Sequence, residues 1–177
     1  MRNALNLAGY QLVWFAAVLG AARGKTWPGP VAALLFAFAN LWIYKHWRDD
    51  TLLLVLAVAV GFALDGSLSL LGVVQYAAAS PPWPPLWLLA IWAAFGLTQH
   101  HSFALAQRHL AVTAAVGALG GPLAYLAAAR LGAVVLPAPP WHGTAALALA
   151  WGIALPLLAA AARCQRPAPC RPGGVFP

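Results

Sequence analysis

Charge is what this chain has least of. Only 7% of its 177 residues are charged, and three of those are acidic. A soluble domain covers its surface with roughly a quarter charged residues. With 63% hydrophobic residues and a mean hydropathy of +0.78, the chain excludes that class, and its apolar side chains must face lipid as well as a core. Cysteine is scarce too. Cys164 and Cys170 both lie in the C-terminal tail, too few for a structural zinc site and on the reducing side of the topology argued below, so they read as free thiols. Motifs of catalysis are missing: there is no H-x-x-x-H spacing, no phosphate loop, no Ser-His-Asp set and no zinc-hydrolase signature. No metal site is implied, and the sequence does not disclose a cofactor. No polar stretch is long enough for a second domain. Residues 1–163 form one polytopic membrane unit, and 164–177 a short basic, Pro-rich tail.

What is there is long apolar runs. A membrane-spanning helix needs about 20 mainly apolar residues. Six stretches qualify: Ala4–Ala22, Pro28–His46, Thr51–Val73, Pro85–Gln107, Leu110–Leu131 and Thr144–Ala162. The expected fold class is all-α membrane, a compact bundle of about six transmembrane helices with short, antiparallel connections. The first run reads as a retained helix rather than a cleaved signal peptide, being long and carrying Asn6 and Gln11.

The net charge of +7 does not indicate nucleic acid, because the basic residues stand singly or in pairs at the ends of apolar runs. There they orient membrane helices. With a cytoplasmic N-terminus, Arg2, Lys45, Arg48, Arg108, Arg163, Arg166 and Arg171 lie inside, and Arg23, Lys25 and Arg130 outside. That asymmetry places both termini in the cytoplasm. The three outer loops pair Trp with Pro: Trp27-Pro28-Gly29-Pro30, Pro81-Pro82-Trp83-Pro84-Pro85 and Pro139-Pro140-Trp141. Trp prefers the headgroup zone, and proline opens helices where its missing N–H needs no partner. The expected location is the bacterial inner membrane, with membrane lipids as partners.

Polar groups at membrane depth need a partner or water. Counting about 1.5 Å per residue puts Gln11, Asn40, Gln99 and His100 in one layer near the inner surface, and predicts a hydrogen-bonded cluster there. Asp49 and Asp50 are assigned to the inner loop, which leaves Asp65 as the acidic residue inside a run. Tyr125 comes out at the height of Asp65, with Arg130 a turn further out, able to snorkel to the rim or to bend back. Gly61, Gly66 and Ser67 around Asp65 allow close helix approach. Adjacent His100 and His101 on a helix would diverge by 100°, which argues against a shared metal ion. Gly120-Gly121-Pro122 should loosen the fifth helix. Polar residues between membrane helices often only fasten them, and that alternative stands for Gln11, Asn40 and Gln99.

Asn6-Leu7, the run from Gln11 to Gly24, Asp65-Gly66-Ser67-Leu68, Pro85-Leu86-Trp87, Gln99-His100-His101-Ser102 and Gly120-Gly121-Pro122-Leu123-Ala124-Tyr125 together resemble the blocks of a bacterial inner-membrane family of unknown function. The resemblance extends to Gly132. Members of that family are often encoded near cyclopropane-fatty-acid-synthase-like and flavin-dependent amine-oxidase-like proteins. The resemblance therefore implies a part in handling membrane lipids, with lipid-modifying enzymes or other membrane subunits as partners. The family favours Asn where this chain has His100, so the resemblance matches His101 better.

Three functions follow as expectations. The first is an accessory, binding or transport protein for a lipid-like or small amphipathic molecule. Its outer site would be Asp65, Tyr125 and Arg130, and its inner site Gln11, Asn40, Gln99, His100 and His101. The second is a membrane-embedded enzyme using Asp65 or His101 for proton transfer. The third is a structural subunit of a larger membrane complex.

Overall fold

A computed structural model describes residues 2–79, 83–103, 109–137 and 139–165. Gln107, Arg108, Pro81, Pro82, Cys170, Arg166 and Arg171 lie outside the described residues, so the tail beyond Gln165 does too. Six helices occupy the six apolar runs. They are α1 (Arg2–Ala22), α2 (Pro28–Tyr44), α3 (Trp47–Leu70), α4 (Leu86–Gly96), α5 (Leu110–Arg130) and α6 (Pro140–Cys164). Four of them, α1, α3, α5 and α6, are long and apolar enough to cross a membrane, while α2 and α4 are shorter.

The chain is laid out as three hairpins with one punctuation. Each odd-numbered helix ends in a left-handed glycine: Gly24, Gly72 and Gly132, with φ of 71°, 65° and 86°. In each case the next residue's N–H reaches back five residues: Lys25 to Gly20, Val73 to Leu68, Ala133 to Ala128. This six-to-one closure satisfies end carbonyls, and glycine adopts the required φ without a Cβ penalty. Pro28 and Pro140 then open α2 and α6 at their first turn, and Pro85 is the N-cap of α4. Past their glycines, the second and third hairpins run into two-residue strands, β1 (Gln75–Tyr76) and β2 (Val134–Val135). These pair antiparallel, Gln75 with Val135 and Tyr76 with Val134, an element that hydropathy did not predict.

The shortest helix is the innermost. α4 packs on α1, α2 and α3 and buries residues all round, including Trp87, Leu88, Ile91, Trp92 and Phe95. A helix apolar on every side suits that central place. α5 packs chiefly on α6, α1 on α2, and α3 on α4, with α3 also touching α6.

Two expected boundaries are corrected. α3 begins at Trp47 rather than Thr51, so Asp49 and Asp50 form its first turn instead of a loop. Carboxylates there oppose the positive end of the helix dipole. α4 stops at Gly96 instead of running to Gln107, and residues 97–103 follow as turns. Thr98 Oγ1 donates to the Phe95 carbonyl at 2.6 Å and Gln99 Nε2 to the same oxygen at 3.4 Å. Such side-chain bonds compete with continuation of the helix. Depths counted along a helix through Gln99 and His100 therefore do not apply.

Candidate functional site

The buried face of α3 includes Asp50, Leu53, Ala57, Gly61, Asp65 and Leu68. The two carboxylates on this stripe are fully buried and about 22 Å apart along the axis. Each is the hub of a polar knot.

At the Asp65 knot the partners are two phenols and an indole. Tyr76 of β1 donates to Oδ1 at 2.8 Å and Tyr125 of α5 to the same oxygen at 2.5 Å. Trp92 Nε1 of α4 donates to Oδ2 at 2.6 Å. The indole lies across Gly61, where a Cβ would fall 2.2 Å from Trp92 Cγ. Gly61 is thus the seat that lets α4 reach the carboxylate. The β ladder explains Tyr76: β1 turns it inward from a connection that would otherwise lie over the bundle end. Of the expected outer site, Asp65 and Tyr125 come together. Arg130 is exposed at the end of α5 and makes no ion pair with Asp65 among the described residues.

At the Asp50 knot the partners are imidazoles. His100 Nδ1 lies 3.1 Å from Oδ1 and His101 Nε2 lies 3.2 Å from Oδ2. The turn after α4 makes this convergence possible, so the 100° divergence expected of two helical neighbours is overturned. His100 Nε2 also lies 3.3 Å from the carbonyl oxygen of Ala162, in the last turn of α6. End carbonyls lack intrahelical partners, so His100 caps α6 while gripping α3. His101 stacks on Tyr44, ring centroids 3.6 Å apart, and Tyr44 donates to the Arg2 carbonyl at 2.7 Å. Next to it Ser102 Oγ donates to Asn6 Oδ1 at 2.6 Å, and Asn6 Nδ2 reaches the Leu97 carbonyl at 3.5 Å.

The expected inner cluster is rearranged accordingly. His100 and His101 share Asp50. Gln99 is buried and bonded to Phe95. Asn40 is buried, and neither end of its amide has a hydrogen-bond partner among the described residues. Gln11 belongs elsewhere: it lines a cavity.

That cavity, about 260 Å³, is walled by α1, α4, α5 and α6. α1 and α5 share little direct packing, and the space between them is a slot. Trp14, Trp92, Phe95 and Trp151 give it aromatic walls, and Gly117, Gly120 and Gly121 keep its α5 side low. Lining residues on α5 run from Val116 to Ala128, so the slot is about 18 Å long, over half of the roughly 30 Å hydrocarbon thickness. Gln11 and Tyr125 both line it, so an expected inner residue and an expected outer one meet in one space. The slot also abuts the Asp65 knot, since Trp92 and Tyr125 serve both. A Cβ on Gly120 would meet nothing within 4 Å, whereas one on Gly117 or Gly121 would strike Trp151 at 2.3 Å.

Sequence reasoning missed Asp50, Trp92, Tyr76 and Asn6. The signal for Asp50 was there: stepping back from Asp65 and Gly61 at helical spacing lands on Ala57, Leu53 and Asp50. Trp92 and Tyr76 had no local signal, because both reach Asp65 from other elements.

The sequence profile described as "Protein of unknown function (DUF2878)" matches residues 3–157. The chain belongs to the DUF2878 family. No curated protein and no solved structure matches it. The side chains that meet at Asp50 and Asp65, and every residue of the slot, fall within the DUF2878 match, while Arg2 and Ala162, which contribute carbonyls to the Asp50 knot, lie just outside it.

Proposed function

We propose that this DUF2878 chain is a multi-pass inner-membrane protein, with six spanning segments and both termini cytoplasmic, that binds or moves a single-chain lipid-like molecule in the slot between α1 and α5. The observation that carries this reading is the slot itself: long, narrow, aromatic-walled, parallel to apolar helices, and with Gln11 as a polar group on its wall. Its volume lies just under the range of about 300–1,000 Å³ usual for small-molecule sites, which suits one extended chain better than a two-tailed lipid. Membrane lipids are the natural source of such an occupant, and lipid-modifying enzymes its natural users. The basic inner ends and Trp-Pro outer loops support the orientation.

The test is photo-crosslinking of detergent-purified protein with a diazirine-bearing palmitate. Adducts should concentrate on residues 10–18 and 116–128. Gly120→Leu fills open space rather than clashing, so it should leave the fold intact and cut labelling about tenfold, equivalent to ~1.4 kcal/mol of binding. Labelling spread evenly over exposed residues such as Leu34, Leu35 and Phe38, and indifferent to Gly120→Leu, would refute the slot as the binding site.

A further inference from the structure

The wall of the slot carries no charge. Among its described lining residues there is no Lys, Arg, His, Asp or Glu. The carboxylate behind the wall, Asp65, is covered by Trp92 and Tyr125, which both donate to it. A charged head inside the slot would lose its hydration and meet no opposite charge, and that combination is strongly unfavourable. The head that fits there is uncharged.

The polar groups of the wall divide into those already bonded and those still open. Trp87 Nε1 donates to the Ala77 carbonyl at 2.9 Å, and Trp92 and Tyr125 are bonded to Asp65. Tyr10, Gln11 and Trp14 line the slot from α1, and their side chains have no hydrogen-bond partner among the described residues. Gln11 is exposed about 14 Å along α1 from its start, a depth at which a lone amide facing hydrocarbon is costly. Tyr10 and Trp14 are one turn apart and share a face of the helix. The indole can only donate, and the hydroxyl and the amide both can. Together they suit an acceptor oxygen.

Those open donors stand beside aromatic rings. Tyr10 lies 5.7 Å from Phe95, Phe95 lies 5.4 Å from Phe103 and 5.6 Å from Trp151, and Trp151 stacks on Trp92 at 4.5 Å with the planes 13° apart. Aromatic faces are electron-rich and favour a flat, electron-poor ring set against them. Toward the end of α1 the lining turns aliphatic, with Val18, Leu88, Ala128 and Val134. The slot is thus graded along its length, from rings and donors to plain hydrocarbon. Gln11, Val116 and Gly120 are exposed, so its flank is open and a molecule dissolved in the bilayer reaches it sideways.

We propose that the occupant of the slot is a quinone-headed lipid: its ring lies among Tyr10, Phe95 and Trp151, its carbonyl oxygens accept from Tyr10, Gln11 and Trp14, and its single apolar chain runs along α5 toward Ala128. A quinone unites the four properties the slot selects, being uncharged, flat, electron-poor and rich in acceptor oxygen. This names the class of occupant and so rests on the binding reading above.

The experiment is displacement of the diazirine-palmitate adducts from the slot in detergent-purified protein. Four decyl compounds compete at matched mole fractions: decylbenzoquinone, decylbenzene (a ring without oxygen), decanol (an oxygen without a ring) and decanoate (a charged head). Decylbenzoquinone should displace the probe at about tenfold lower concentration than any of the other three, the gain expected of two hydrogen bonds. Tyr10→Phe keeps the ring on Phe95, and Gln11→Leu replaces an exposed amide by an apolar chain of similar size, so both should melt like the parent. Combined, they should cut the advantage of the quinone to about twofold and leave displacement by decylbenzene unchanged. Slot adducts displaced equally by decylbenzoquinone and by any of the other three overturn the quinone assignment and leave the slot reading standing. An advantage undiminished in the double variant overturns the assignment as well. Adducts absent from the slot overturn the slot reading, and the quinone with it.

Discussion

The two carboxylates of α3 are equally buried and differently held. Asp65 sits among two phenols and an indole drawn from three elements, α5, β1 and α4. Asp50 sits between two imidazoles from one turn, near a helix end. The two phenols and the indole each present one O–H or N–H to Asp65, whereas an imidazole nitrogen donates or accepts according to its tautomer. The sense of the hydrogen bonds is therefore fixed in the first knot and adjustable in the second. The difference shows why burial alone says little about the role of an intramembrane carboxylate: the chemistry of its partners decides.

Substitutions can break that comparison. The largest expected effect is at Asp65. Asp65→Leu strands three buried donors at about 1–3 kcal/mol each, so most of the protein should fail to fold, as read by yield and by unfolding in mixed detergent. Asp65→Asn, which mismatches one contact, should cost about 1–3 kcal/mol. If Asp65→Leu folds as well as the parent, the knot is not a fastening.

Next comes Gly61→Ala, which puts a methyl into the Trp92 ring and should cost about 1–3 kcal/mol by overpacking. Gly120→Ala faces open space and provides the matched control. Equal melting of the two variants would mean that Trp92 has another way to reach Asp65. Asp50→Asn should cost less, about 1–1.5 kcal/mol, because a histidine can change tautomer and accept from the new amide. A loss as large as that of Asp65→Leu would erase the distinction between the knots. The smallest effect is expected of Tyr44→Phe, which loses the bond to the Arg2 carbonyl but keeps the stack on His101. About 0.5–1 kcal/mol should appear in the same unfolding assay, and a larger loss would mean that the hydroxyl orients His101.

Much of the fold was legible in the sequence. Apolar runs located all six helices, and the Trp-Pro loops marked the turns of the three hairpins. The early end of α4 was missed, although the polar run Thr98-Gln99-His100-His101-Ser102 interrupts the apolar stretch where Thr98 and Gln99 turn back onto Phe95. The site was legible in part. Depth counting brought Asp65 together with Tyr125, because both lie on helices that run unbroken at 1.5 Å per residue. It misplaced Gln11, because depth carries no information about the direction in which a side chain points. It overlooked Asp50, because an acidic pair before an apolar run reads as a loop until the helical phase of the whole stripe is followed back.

By itself, then, the scarcity of charge in the sequence determined that the chain cannot be a soluble domain, and its apolar runs determined where helices form. Both follow from hydration, which acts on each segment independently of its neighbours. Only the tertiary structure decided which polar groups share a partner, that two adjacent histidines converge on one carboxylate, and that a slot stays open between α1 and α5. Those outcomes depend on the rotation and contact of helices distant in sequence, set by packing details such as a glycine beneath an indole.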